Sequence, residues 1–223
     1  MLKQAVKQQE DTEAVFLMPR VKANIPSMNL KGGFARKVYE EVVEWFKDYK
    51  DNPAFDQYFK FNEQTEEING SNTHLALLTD KVLRQRGLWI PTPYEAKQLD
   101  AKKLLSDGVF RDYGIVVFNG ENLNKKLAGH FIIETQKRAL DLPLVLPFKS
   151  LDLKRKTGEI VLSDNLEDIF SGDEAREFLR SNMNYVGDSG VRRLFRYGGG
   201  HWNASWDDLL GSDANGRVDR YCG

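Results

Sequence analysis

The chain has 223 residues, 41% apolar and 11% aromatic, with a net charge of −1 and one cysteine. That composition supplies a core and excludes disorder, a polyanion-binding surface built on basic blocks, an internal disulfide and a cysteine-rich zinc site. The opening MLKQAVKQQEDTE lacks the apolar centre of a secretion signal, and no apolar run reaches the length of a membrane span, so a soluble protein is expected, its compartment open.

In chain order, AVFLMPRV (14–21) reads as a short strand that Pro19 places near an edge. FARKVYEEVVEWFKDYK (34–50) puts Val38, Tyr39, Val42, Val43, Phe46 and Tyr49 on one helical face and stops at Asn52-Pro53. NGSN (69–72) is a turn, and 73–87 is a second amphipathic helix closed by Gly87. Thr92-Pro93-Tyr94-Glu95 is a capping box with proline at the first helical position, opening a helix over 92–108. GIVVFNG (114–120) is a buried strand; 128–139 fits strand or helix; 143–148 and 158–163 look extended. Ser171 to Glu174 is another capping box before a helix over 172–182, and after Asn184 recurrent glycines leave only short alternations. Helices followed by mixed strands and helices predict an α+β fold, with residues 1–88 a helical part packed on the core of 89–223.

Residues 187–223 use a different alphabet. Residues 1–186 hold 18 Lys, 15 Glu and 8 Gln, whereas the last 37 residues hold none, where the earlier rate predicts about eight. What remains is Arg, Asp, Asn, Ser, Gly and aromatics, the side chains that contact partners at low entropic cost. Either this is a recognition surface or a glycine-rich loop with local bias. Within it, Trp202-Asn203-Ala204-Ser205-Trp206 alternates with period two. An extended segment would bury Trp202, Ala204 and Trp206 as anchors and display His201, Asn203, Ser205 and Asp207. The competing idea is that the indoles themselves stack on a ligand.

The run GVRRLFRY, then G-x-W-x-A-x-W-x-D-L, then S-x-x-x-G-R-V resembles the variable region of diversity-generating retroelement variable proteins of the archaeal, C-type lectin-like type. The resemblance covers about 35 residues. It implies a C-type lectin-like fold: a small twisted antiparallel sheet, flanking helices and a loop-rich variable region at about 190–223. It also implies a ligand-binding protein, not an enzyme, whose tail is rewritten where a template carries adenine. Asparagine codons then become NNC or NNT, which cannot encode Lys, Glu, Gln, Met or Trp. On that resemblance the rewritten, ligand-contacting positions are Phe195, Tyr197, Gly198, Gly199, His201, Asn203, Ser205, Asp207, Leu210, Gly211, Asp213, Ala214 and Asn215, with Asp219 and Tyr221. Asp208, Leu209, Ser212, Gly216, Arg217 and Val218 are framework, as are both tryptophans. The ligand is a protein or cell-surface molecule of unspecified identity, with no cofactor, metal or nucleic acid; Phe195 and Tyr197 beside Asp207 and Asp213 suggest a mixed apolar and cationic partner.

Three rival readings compete. Gly187-Asp188-Ser189-Gly190 matches the local GDSG of chymotrypsin-like proteases and would make the chain a serine hydrolase, needing a histidine base from His74, His130 or His201. Asp213-Ala214-Asn215-Gly216 resembles half of a calcium loop, but position 222 is cysteine rather than an acid. A carbohydrate-binding lectin would need Glu-Pro-Asn or Gln-Pro-Asp with Trp-Asn-Asp, and none is present. Arg192 and Arg193 are expected to brace Asp188 or Asp208, His74 and His130 to be structural or surface histidines, and Cys222 to be a small buried hydrophobe.

Overall fold

A computed structural model describes residues 30–47, 59–105, 108–154, 157–211 and 216–217. The expected strand at 14–21, Tyr49, Asp213, Ala214, Asn215, Asp219, Tyr221 and Cys222 lie outside them. The architecture is α+β. In chain order it runs α1 (Gly32–Phe46), β1 (Lys60–Asn62), β2 (Glu67–Asn69), α2 (Thr73–Arg84), α3 (Pro93–Ala101), β3 (Arg111–Val117), α4 (Lys125–Lys137) and β4 (Leu144–Pro147). It continues β5 (Leu151–Leu153), β6 (Ile160–Leu162), β7 (Phe170–Ser171), α5 (Gly172–Asn182), β8 (Tyr185–Val186), β9 (Val191–Tyr197) and β10 (His201–Ala204).

The amphipathic repeats become helices. Val38 and Val42 of α1 and Leu75, Leu78 and Val82 of α2 bury their apolar faces in one cluster with Ile115 and Val117 of β3. Asn72 caps α2 by accepting from Leu75 N at 2.9 Å. The Thr92 capping box forms as expected: Thr92 Oγ1 accepts from Glu95 N at 3.3 Å, and Glu95 Oε2 accepts from Thr92 N at 2.8 Å. α3 nevertheless ends at Ala101, not 108. Lys103 turns left-handed at φ 56°, Leu104 N bonds back to Leu99 O at 3.0 Å, and Leu105 is buried. The ambiguous 128–139 segment is helix α4, which buries Ala128, Phe131 and Thr135 at helical spacing. Ser171 sits at the N-cap of α5 but makes no side-chain cap bond, which corrects the second capping box. The helix entry is instead fixed by Gly172, at φ 55°, whose N–H donates to Asp141 O and Pro143 O at 2.9 and 3.0 Å.

Six strands form the main sheet in the order β7-β4-β3-β9-β10-β8. All neighbours are antiparallel except β10 and β8, which pair in parallel, so the expected antiparallel sheet is a mixed one. Strand β3 starts three residues before the expected 114 because Arg111 and Asp112, charged and loop-like in sequence, are buried in it. Register and alternation give the sheet two covered faces. On one, α5 supplies Ala175, Phe178 and Leu179 against Val116, Val145, Leu194 and Ala204. On the other, α2 and α4 cover Ile115, Val117, Leu144, Leu146 and Val191, with α1 packed against α2.

A β-bulge lies between Asp112 and Gly114: Asp112 pairs with Phe195 and Gly114 with Leu194, leaving Tyr113 unmatched. Gly114 adopts φ 150°, and a Cβ there would stand 2.1 Å from the Leu146 carbonyl oxygen. The extra residue reverses the strand's phase, so Asp112 shares a face with Arg193 and Phe195, while the Tyr113 ring stacks on Trp202 at 5.0 Å.

Candidate functional site

The tail is tied down by backbone bonds. Asn184 N donates to Trp202 O at 2.8 Å, Gly187 N to Ala204 O at 2.9 Å and Arg193 N to Trp206 O at 2.7 Å. Its far end is clipped to the loop before α2, with Thr73 N on Leu209 O at 3.2 Å and Gly70 N on Gly216 O at 3.0 Å. Asp208 closes a turn by accepting from Leu210 N and Gly211 N at 3.0 and 2.8 Å.

Trp202 is the anchor that the alternation predicts. It is 1% exposed, and its Nε1 donates to Asp100 Oδ2 of α3 at 2.7 Å. The Lys97 ammonium lies 5.1 Å over the ring. Burying such a ring contributes about 2–3 kcal/mol. Ala204 is buried on the same face of the strand. Trp206 breaks the pattern. Strand β10 ends at Ala204, so the period-two rule no longer applies two residues later, and the Trp206 indole is 50% exposed, resting 5.0 Å from the Phe195 ring. The expectation of two buried indoles therefore holds for Trp202 and fails for Trp206.

Two residues expected on display are also inside. Phe195 is fully buried, packed by Phe110 at 6.4 Å, Trp206 at 5.0 Å and the Arg193 guanidinium at 5.0 Å. Asn203 is 5% exposed, its Oδ1 accepting from Ser205 N and Oγ at 2.8 and 2.9 Å. His201 and Gly199 are exposed, while Tyr197, Gly198, Ser205, Asp207, Leu210 and Gly211 are half-buried. Leu210 packs against the core, and Asp207 accepts from Asn124 and from Leu123 N at 3.5 Å, so these two are partly committed.

The exposed indole opens a cleft of about 360 Å³ lined by Phe110, Tyr185, Tyr197, Asn203, Ser205 and Trp206. Its rings form a continuous aromatic surface. Phe110 stacks on Tyr197 at 5.9 Å, Tyr197 on His201 at 5.4 Å, and Tyr185 tilts against His201 at 6.4 Å. The Tyr197 phenol is raised above its ordinary pKa by desolvation and by the Tyr185 hydroxyl bonded to it. Sequence reasoning missed Phe110 and Tyr185. Tyr185 opens β8 and pairs with Asn203 of β10, and Phe110 reaches the cleft just before β3, next to the β3–β9 pairing and through a parallel bridge to Gly216. Neither carries a sequence signal that ties it to the tail.

The arginine expectation is half met. Arg192 lies 3.7 Å from Asp188 and 3.9 Å from Asp207, and donates to the carbonyls of Ser189 and Ser205 at 2.8 and 2.6 Å. Arg193 instead pairs with Asp112, outside the tail, because the bulge brings that carboxylate onto its face. Ser189 of the GDSG run donates to Asp188 Oδ1 at 3.2 Å and accepts from Arg192 Nη2 at 3.3 Å. No imidazole bonds to it: His201 stacks on Tyr197, His74 bonds the Leu209 carbonyl, and His130 packs beside Phe131. Among the described residues no cluster of His, Cys, Asp or Glu is placed to hold a metal, and no helix is long and apolar enough to cross a membrane. No protein-family profile, curated protein or solved structure matches the chain.

Proposed function

We propose that this chain is a non-enzymatic ligand-binding protein with a C-type lectin-like fold, whose C-terminal surface is rewritten by retroelement-directed, adenine-specific mutagenesis. The ligand is a protein or cell-surface molecule that differs from one variant to the next. One observation carries the reading: the tail that lacks Lys, Glu and Gln also forms an aromatic-walled cleft on an anchored backbone. Tyr197, His201 and Ser205 are accessible there, while Trp202 and Ala204 between them are buried. The exposure pattern supports Tyr197, Gly199, His201 and Ser205 as the freely replaceable positions and disfavours Phe195 and Asn203, whose side chains the fold uses.

The test is replacement. NNC/NNT-type libraries at 197, 199, 201 and 205 are expected to leave most members folded, with melting temperatures within a few degrees of the parent. The same library at 195 and 203 is expected to lose folded members. Collapse of the fold across the first set sinks the reading. Flanking DNA is the second test: a reverse transcriptase gene and a near-copy of the 3′ end, differing only at template adenines, are expected.

A further inference from the structure

The described residues that line the cleft carry four aromatic rings and no formal charge. We propose that the cleft binds a quaternary ammonium group, held by the π faces of Trp206, Tyr197, Tyr185 and Phe110 rather than by a carboxylate. This deepens the reading above and rests on it for the cleft being the ligand surface.

The competing chemistries are poorly served. A pyranose stacks on a ring but also needs planar polar side chains to bridge its hydroxyls. Here the Asn203 carbonyl oxygen accepts from Ser205 N and Oγ, at 2.8 and 2.9 Å, which also engages the serine proton, and the Tyr185 and Tyr197 hydroxyls bond to each other. A phosphate or nucleotide needs a free cation. The nearby guanidiniums are committed: Arg192 to the carbonyls of Ser189 and Ser205, Arg193 to Asp112, and Arg196 to Asp100 at 3.0 Å. A bare ammonium is strongly hydrated, and none of the described lining residues is a carboxylate that would offset its desolvation. An alkylated cation loses less hydration and gains from ring quadrupoles.

The placement of the rings adds a consequence. Phe110 and Tyr185 lie upstream of the rewritten tail, and Trp206 is a residue that NNC or NNT codons cannot produce. Three of the four rings are then constant among variants, which share the cation preference while Tyr197 and Ser205 tune it.

Choline and its neutral carbon isostere, 3,3-dimethylbutan-1-ol, test this by isothermal titration of the full chain. Choline is expected to bind at least about tenfold more tightly than the isostere. Trp206→Ala, its fold checked by circular dichroism, is expected to lose choline binding, and Tyr94→Ala, on the exposed face of α3, to keep it. A trimethyllysine peptide and phosphatidylcholine vesicles run alongside separate a protein side chain from a lipid headgroup, and binding of either upholds the proposal. Equal affinity for choline and the isostere, or rejection of choline, peptide and vesicles alike, overturns it. Fold tolerance at 197, 199, 201 and 205 is independent of choline, so the failure of one reading is distinguishable from the failure of the other.

Discussion

Arg193 of β9 and Asp112 of β3 form a bidentate ion pair in the interior, with Nε on Oδ1 and Nη2 on Oδ2, the latter at 2.8 Å. The Ser71 hydroxyl donates to the same carboxylate at 2.8 Å, and Arg193 also donates to the carbonyls of Gly211 at 2.6 Å and Ser71 at 3.3 Å. Four segments meet there: the loop before α2, β3, β9 and the turn at Asp208–Gly211.

Breaking this pair on one side is expected to be costly. Asp112→Ala leaves a guanidinium 3% exposed without its carboxylate, a loss of about 3–5 kcal/mol. Arg193→Lys is expected to restore little, because an ammonium cannot supply the fork. Urea unfolding checks both. The double variant Asp112→Leu/Arg193→Met is expected to be more stable than Asp112→Ala.

The two tail tryptophans are expected to respond oppositely. Trp202→Ala removes a fully buried ring and its bond to Asp100, costing about 3–5 kcal/mol. Trp206→Ala removes a half-exposed ring and is expected to cost under about 1.5 kcal/mol. Thermal melts of the two proteins side by side decide the matter, and equal losses refute the division of roles.

Gly114→Ala is expected to unfold or severely destabilise the protein, because its methyl would meet the Leu146 carbonyl oxygen at 2.1 Å on backbone that cannot move aside. Gly87→Ala, where a Cβ has open space, is expected to cost only the strain of its left-handed φ of 69°, about 1 kcal/mol. Circular dichroism melts compare them.

Two buried groups make stability depend on pH in opposite senses. Burial lowers the His74 pKa from 6.5 to about 4, so the folded protein disfavours its proton and stability falls as pH drops from 6.5 toward 4. Burial raises the Asp80 pKa from 3.8 to about 6, against the pull of Arg84. Its contribution is present below pH 3.8 and is lost as pH rises through 6. The two slopes oppose between pH 4 and 6. His74→Asn is expected to remove one of them, so that its stability relative to the parent rises by about 2–3 kcal/mol from pH 7 to pH 4. A constant difference across that range contradicts the buried neutral imidazole.

Legibility tracked how local the determining physics is. The faces of α1, α2 and α5 and the Thr92–Glu95 cap depend on neighbours three or four residues away, and the sequence displays them. The start of β3 was hidden because the partner that makes Asp112 tolerable inside is 81 residues away. The hairpin of β1 and β2 was hidden because strands of three residues with polar members carry no period. In the site, alternation places Trp202, Ala204, His201 and Ser205, but it misplaces Asn203, which is buried, and Trp206, since nothing in WNASW announces that the strand stops at Ala204. Phe110 and Tyr185 enter through sheet pairing alone.

The unmatched Tyr113 bears on which lengths of chain can change. Deleting Tyr113 would close the bulge and leave Asp112 opposite Phe195, on the face of Arg193, so the ion pair would survive and the loss would be the ring that stacks on Trp202. Insertions at the Gly198–Gly200 turn, by contrast, alter no phase upstream of it. The turn after Tyr197 can therefore be lengthened or shortened, whereas the bulge residue has to stay for the sake of its ring, which the Trp202 anchor leans on.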